Sequence, residues 1–469
     1  MFFRKVTTRN DGKEYTYVKL IESYRQGNQV RQRVIANLGN IDDLTPFKVY
    51  ALINSLARVC GVDPCPPAAK PKIKRILRYG DVIFIHKIWE RLGLDRIMES
   101  LPGAEPGFSQ AGEVLVIAEL LRLPFSVIRD WPRHLYLPAP PRQEKQFAPE
   151  DVFSFLGKNA EPLREAVLSR LKERGELKPP FYHFLIQGSL RKNVQLPPLL
   201  KEAGGRQAFT AAVTLNQSGV PLFLREFATE QKEAPRFFEC KKVGLTGLLP
   251  LQTVFVEDCL AFSENNQPAF LPFAAEYITS LSPGTPEFKE LKGRFLLDRP
   301  PDDYDRLPPD ENILYKEVPA QKGRYIICRS TADSSAAAIL KTNAKNISTP
   351  TIIRAYEESA ALRRRFRLDD DIFSGCADYR SETETKGRLL VLWLALLIEK
   401  TGEQILKAAA VNLSASAALQ ILEPVKIAVL ETGGEVIFRT VALDKTQRRI
   451  LSVLDEEAER SRNEGFVAG

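Results

Sequence analysis

A mixed α/β fold with a helical flank is the class that this 469-residue sequence predicts. Three observations carry the expectation. Short apolar runs rich in aromatic and β-branched residues read as strands: "PPFYHFLIQGSL", then "QAFTAAVTL" and "VPLFLREFA" joined by the turn "NQSG". A further run, "LQTVFVEDCLAF", reads as a strand that ends in Glu257-Asp258. From about 349 to 422 the apolar spacing becomes helical. A strand block followed by helices points to a sheet with helices packed against it.

Taken in order, the chain opens with a small antiparallel sheet. "FFRKVTT" and "YTYVKLIESY" flank "RNDGKE", whose Asp-Gly is a strong hairpin signal, and "VRQRVIANLG" alternates again after "RQGNQ". Eight basic side chains against three acidic ones give this stretch of forty residues a charge of +5. That is either a solvated sheet face or a hairpin lying along a phosphate backbone. Residues 42–135 read mostly helical, with "DLTPFKVYALINSLARVC" and "SQAGEVLVIAELLRL" as the clearest periodic runs. The Pro-rich "LPAPPRQEKQFAPE" (137–150) reads as a linker, and the helical "DVFSFLGKNAEPLREAVLSRLKERGEL" leads into the first central strand. Residues 281–312 read as acidic loop, "KGRYIICRS" as a strand, and "GGEVIFRTVALD" as a small β element before a last helix. The domains expected are therefore 1–40, 41–150, 151–422 with an insertion near 281–335, and 423–469.

Composition narrows the function classes. A net charge of +7 permits a polyanionic partner without requiring one. The six cysteines include no CxxC pair, and the three histidines, His86, His134 and His183, are scattered, which argues against a zinc site. Free thiols and the lack of a visible secretion leader at the start favour a cytoplasmic location. "LLVLWLALLI" (389–398) is too short to span a bilayer and reads as a buried core helix, so no membrane partner is expected.

In order along nearly the whole chain, several stretches resemble bacterial insertion-sequence transposases of the DDE type, in the insertion-sequence-four-like superfamily. They are "RQRVIANLG", "LRLPFSVIRDW", "PFYHFLI", "VTLNQSGVPLFLREF", "VFVEDCLAF", "AYEESAALRRRF" and "ETKGRLLVLWLALLIEK". The resemblance implies a ribonuclease-H-like core with a β-rich insertion before its last catalytic helix. It also implies two magnesium ions held by three carboxylates, because hard cations take oxygen ligands and paired ions serve an in-line displacement.

Carried over position by position, the first acid falls on His183, the second on Asp258 and the third on Arg363. In the superfamily a tyrosine, arginine, glutamate and lysine recur along that helix; counted from Tyr356, their places hold Ser359, Arg363 and Asp370. A Gly-Asn pair after the hairpin is replaced by Ala228-Thr229, and of the features past the catalytic helix only Tyr379 remains. An arginine in a metal cluster repels the cations. The reading that follows is a transposase-like DNA-binding protein without cleavage or strand-transfer activity and without a cofactor. In it Arg4, Lys5, Lys13, Arg31, Arg33, Arg364, Arg365 and Arg367 contact double-stranded DNA, and a homodimer is an open possibility. Two alternatives stand beside it. One is an active magnesium-dependent enzyme in which Glu357 or Glu358, with one of Asp369, Asp370 and Asp371, joins Asp258 as metal ligand. The other is a repurposed assembly protein that does not bind DNA.

Overall fold

A computed structural model describes residues 1–10, 13–27, 29–62, 72–138, 147–191, 206–227, 253–257, 276–296, 303–308, 312–320, 323–331, 337–365, 381–432 and 435–464. The chain divides into two compact units, Met1–Arg75 with Ala428–Arg439, and Ile76–Ile427 with Thr440–Gly469. In the first unit, β1 (Phe2–Asn10), β2 (Lys13–Gln26) and β3 (Gln29–Asn40) form an antiparallel sheet in that order. Its register pairs Arg4 with Lys19, Thr7 with Thr16, Arg9 with Glu14, Glu22 with Arg33 and Tyr24 with Arg31. Thr45 caps the following helix, Pro46–Val59, by accepting a hydrogen bond from the Lys48 amide at 3.4 Å.

β4 (Lys72–Arg78) comes next, inside a stretch that the sequence suggested was mostly helical. Helices then dominate up to Glu173. Gly80–Leu92 and Phe108–Leu121 are tied by a buried 2.7 Å contact between His86 Nδ1 and Glu113 Oε1. The nine-stranded sheet that follows is built from β5 (Phe181–Arg191), β6 (Arg206–Leu215), β7 (Pro221–Phe227), β8 (Thr253–Glu257), β9 (Glu276–Ser280), β10 (Asp305–Arg306), β11 (Ile313–Ala320), β12 (Gly323–Ser330) and β13 (Ala337–Thr342). The order is β10-β11-β12-β13-β9-β8-β5-β6-β7. β5 and β8, and β8 and β9, run parallel; every other described pairing in the sheet is antiparallel. The fold is thus mixed α/β, and the four strands read from "PFYHFLI", "AFTAAVTL", "VPLFLREF" and "TVFVE" share one sheet.

Within the stretch read as acidic loop, Pro286–Phe295 is a helix that buries Phe288, Leu291 and Phe295, with Thr285 as its cap. β10 to β13 extend the same sheet beyond β9. The apolar run Leu389 to Ile398 is wholly buried, in the Glu382–Ala408 helix. No helix among the described residues is long and apolar enough to cross a membrane. This helix crosses Pro149–Lys158 so closely that both need glycine. A Cβ on Gly387 would stand 1.9 Å from the Phe153 carbonyl oxygen, and one on Gly157 the same distance from that of Thr383. β14 (Lys426–Thr432) and β15 (Glu435–Thr440) complete the strands, in a three-stranded sheet of order β15-β14-β4. Thr349–Arg365 is the helix on which the third acid position falls.

Candidate functional site

β5 carries the first acid position near its start. His183 is 1% exposed, pairs in register with Thr214 on β6 and Phe255 on β8, and contacts the Thr214 hydroxyl through Nδ1 at 2.9 Å. Burial alone lowers its pKa to about 4, so the imidazole is neutral at pH 7. Successive strand side chains point to opposite faces, so Tyr182 and Phe184 face away from His183. The Arg363 guanidinium lies on the Phe184 side, 5.4 Å from that ring's centroid, and its Nη2 donates to the Val256 carbonyl on β8. The structure therefore brings Arg363 to β8 but does not bring His183 and Arg363 together. They sit on opposite faces of the sheet. Asp258 lies outside the described residues, and β8 is described as far as Glu257.

The two acids earlier on the helix take other places. Glu357 is exposed. Glu358 is half-buried, with its carboxylate where a Cβ on Gly219 would stand, 2.3 Å from Oε2. Burial raises its pKa, with Lys400 and Arg354 opposing and Glu403 adding to the rise. Gly219 belongs to the β6–β7 turn, at the Tyr182 end of β5, whereas Glu257 on parallel β8 is level with Leu185. Glu358 is thus about 10 Å of strand away from the end of β8, at ~3.3 Å per residue. Ser359 is buried and donates to the Tyr356 carbonyl at 2.8 Å. Arg364 is exposed, and Arg365 forms an ion pair with Glu399. Arg367, Asp369, Asp370, Asp371, Tyr379, Ala228 and Thr229 lie outside the described residues.

A magnesium ion does not fit the first and third positions. A neutral imidazole held by a threonine suits softer metals, and a guanidinium repels a dication. No group of three potential metal-ligating side chains occurs among the described residues.

The basic sheet of the first unit separates its charges by face. Lys5, Arg9, Arg31 and Arg33 share a face with Glu14 and Glu22. Arg9 pairs with Glu14 at 2.6 Å, and Arg33 pairs with Glu22 at 2.7 Å while stacking over Tyr24. The opposite face carries Arg4, Lys19 and Arg25 with no acid among its described side chains. Lys13 opens β2 opposite Asn10. Of the residues expected on DNA, Arg4 therefore stands apart from Lys5, Arg31 and Arg33. Lys19 and Arg25, not singled out from the sequence as contacts, share its face. The signal was available in strand parity, since Arg4 and Lys19 fall opposite each other once the Asp-Gly turn fixes the hairpin.

From its second residue onward this sheet, with the helix after it, lies within residues 3–65, which match the description "IS1634 family transposase, N-terminal domain". The match supports a transposase family for the chain. No curated protein matches it. Among solved structures, a piggyBac transposase synaptic complex with hairpin DNA, seen by cryo-electron microscopy, aligns over 73% of this chain and 78% of that chain. The identity is 9% and the TM-score 0.33, too slight a likeness to carry weight.

Proposed function

We propose that this chain is a transposase-like DNA-binding protein whose ribonuclease-H-like core no longer cleaves or joins DNA. One observation carries the reading: the helix position that a family member gives to its third carboxylate holds Arg363, and that guanidinium is spent on the β8 backbone two residues before Asp258. A cation fixed there keeps magnesium away. The order β7-β6-β5-β8-β9, antiparallel up to β5 and parallel from β5 to β9, supports the ribonuclease-H-like assignment. The remoteness of Glu358 from the end of β8 speaks against a displaced acid.

DNA is held through the N-terminal sheet, which supplies phosphate contacts and hence position more than sequence. Arg4, Lys19 and Arg25 carry most of this, because their charges are not already offset by Glu14 and Glu22. Two titrations test the proposal. Duplex DNA binding should weaken steeply with salt. Magnesium added to the free protein should give no binding heat. Salt-independent binding would remove the DNA reading, and stoichiometric magnesium binding would remove the inactive-core reading.

A further inference from the structure

Every large hydrophobic side chain that is exposed among the described residues lies in the first unit or within two residues of its boundary. The pattern is sharpest on the Pro46–Val59 helix. Val49, Leu52, Ile53, Leu56 and Val59 form one stripe, and they are 38–83% exposed. Asn54 and Ala57, to one side of the stripe, are the more covered of the helix's described side chains, with Tyr50 between them 44% exposed. The helix thus presents its apolar face outward, the reverse of a surface helix on its own core.

We infer that this stripe is a self-association surface, and that its occupant is the same helix of a second copy of this chain. Val49, Leu52, Leu56 and Val59 follow the 3-4-3 spacing of a and d positions, which lets two such helices interdigitate. The helix's only charged residues, Lys48 and Arg58, fall outside the a, d and e positions, so pairing two copies buries no like charges in the seam. A self-complementary patch is what a two-fold dimer requires. The five side chains offer roughly 400 Å² of apolar surface per copy, within the ~300–600 Å² of the largest patch on an ordinary monomer and about half of the ~800 Å² per partner in a standard interface, so the dimer expected is a weak one. The inference does not depend on DNA binding or on the state of the core.

The test is sedimentation velocity on the full chain, freed of nucleic acid by nuclease and high salt, over about 1–50 µM, the range in which a micromolar Kd is visible. The wild type should be a dimer. Leu52→Asp with Leu56→Asp should be a monomer with unchanged circular dichroism. If that variant fails to fold, Leu56→Ala alone should weaken dimerisation by at least ~10-fold, the loss expected when a buried leucine is truncated at a seam. Arg58→Gln, off the stripe, should leave the dimer intact. A monomeric wild type, open-ended aggregation, or a dimer indifferent to both stripe variants would overturn the inference.

Discussion

Replacing His183 by glutamine removes a titrating group from the interior while keeping an amide that can still meet the Thr214 hydroxyl. The folded protein holds this imidazole at a pKa of about 4 because burial disfavours its charged form. In the unfolded chain it returns to about 6.5. Above pH 6.5 both states are neutral and the group is silent. As the pH falls from 6.5 toward 4, the unfolded chain takes up the proton first, so stability is lost through that window. At ~1.36 kcal/mol per tenfold change in proton affinity, the full loss is roughly 3.4 kcal/mol below pH 4, and roughly 2 kcal/mol at pH 5. Urea unfolding of wild type and His183→Gln at pH 7.5 and 5.0 reads it directly. The stability difference between the two proteins should shift by roughly 2 kcal/mol in favour of the variant at pH 5. Exchange at the imidazole C2 position, followed by mass spectrometry, gives the pKa independently, and three histidines make the peptides easy to separate. His86 is the internal contrast. Burial pulls its pKa down, but the hydrogen bond and charge of Glu113 prevail and raise it. A His183 that titrates near 6.5, or a variant with the wild type's acid sensitivity, would refute the buried neutral imidazole.

Two further expectations follow from the geometry. Arg4→Gln with Lys19→Gln should flatten the slope of log affinity against log salt by about 2, at ~0.9 per phosphate contact, whereas Arg9→Gln with Arg33→Gln should change it less because both already face carboxylates. A larger effect of the second pair would place DNA on the other face of the sheet, and an equal effect would remove the preference for either face. Gly387→Ala should destabilise the larger unit by about 1–3 kcal/mol, the usual cost of forcing a methyl into a filled crossing, and thermal unfolding will report it; an unchanged melting temperature would mean that the helices at Gly157 and Gly387 are not so close.

Much of the central sheet was legible because its signals are local. "NQSG" between two apolar runs is a hairpin on any reading, and Asn216 supplies the turn's hydrogen bonds by accepting from the amides of Ser218 and Val220. "LLVLWLALLI" has no polar face and could only be core. What stayed hidden depends on distant partners. β4 carries "KIKRILR", whose alternation is no stronger than a helical reading, and its strand identity comes from β14, more than three hundred residues later. β9 and β13 are five and six residues long, and each is fixed by its neighbours more than by its own pattern. Pro286–Phe295 was masked by a Pro- and acid-rich setting, although Thr285 before Pro286 is a cap signal. At the site, the chemistry of each position could be read from residue type. The opposite orientations of His183 and Phe184 were implicit in strand alternation, but only the packing of the Thr349–Arg365 helix decides which face matters.

The most direct test of an inactive core is a cleavage and joining assay on duplex DNA carrying candidate element ends, in magnesium and in manganese, with Asp258→Asn run alongside. The account predicts neither nicks nor joined products from the wild type, and nearly equal DNA affinity for the two proteins, because no catalytic metal is lost with the carboxylate. Cleavage by the wild type that disappears in Asp258→Asn would contradict it, and would mean that an acid other than the residue at 363 completes a live metal site.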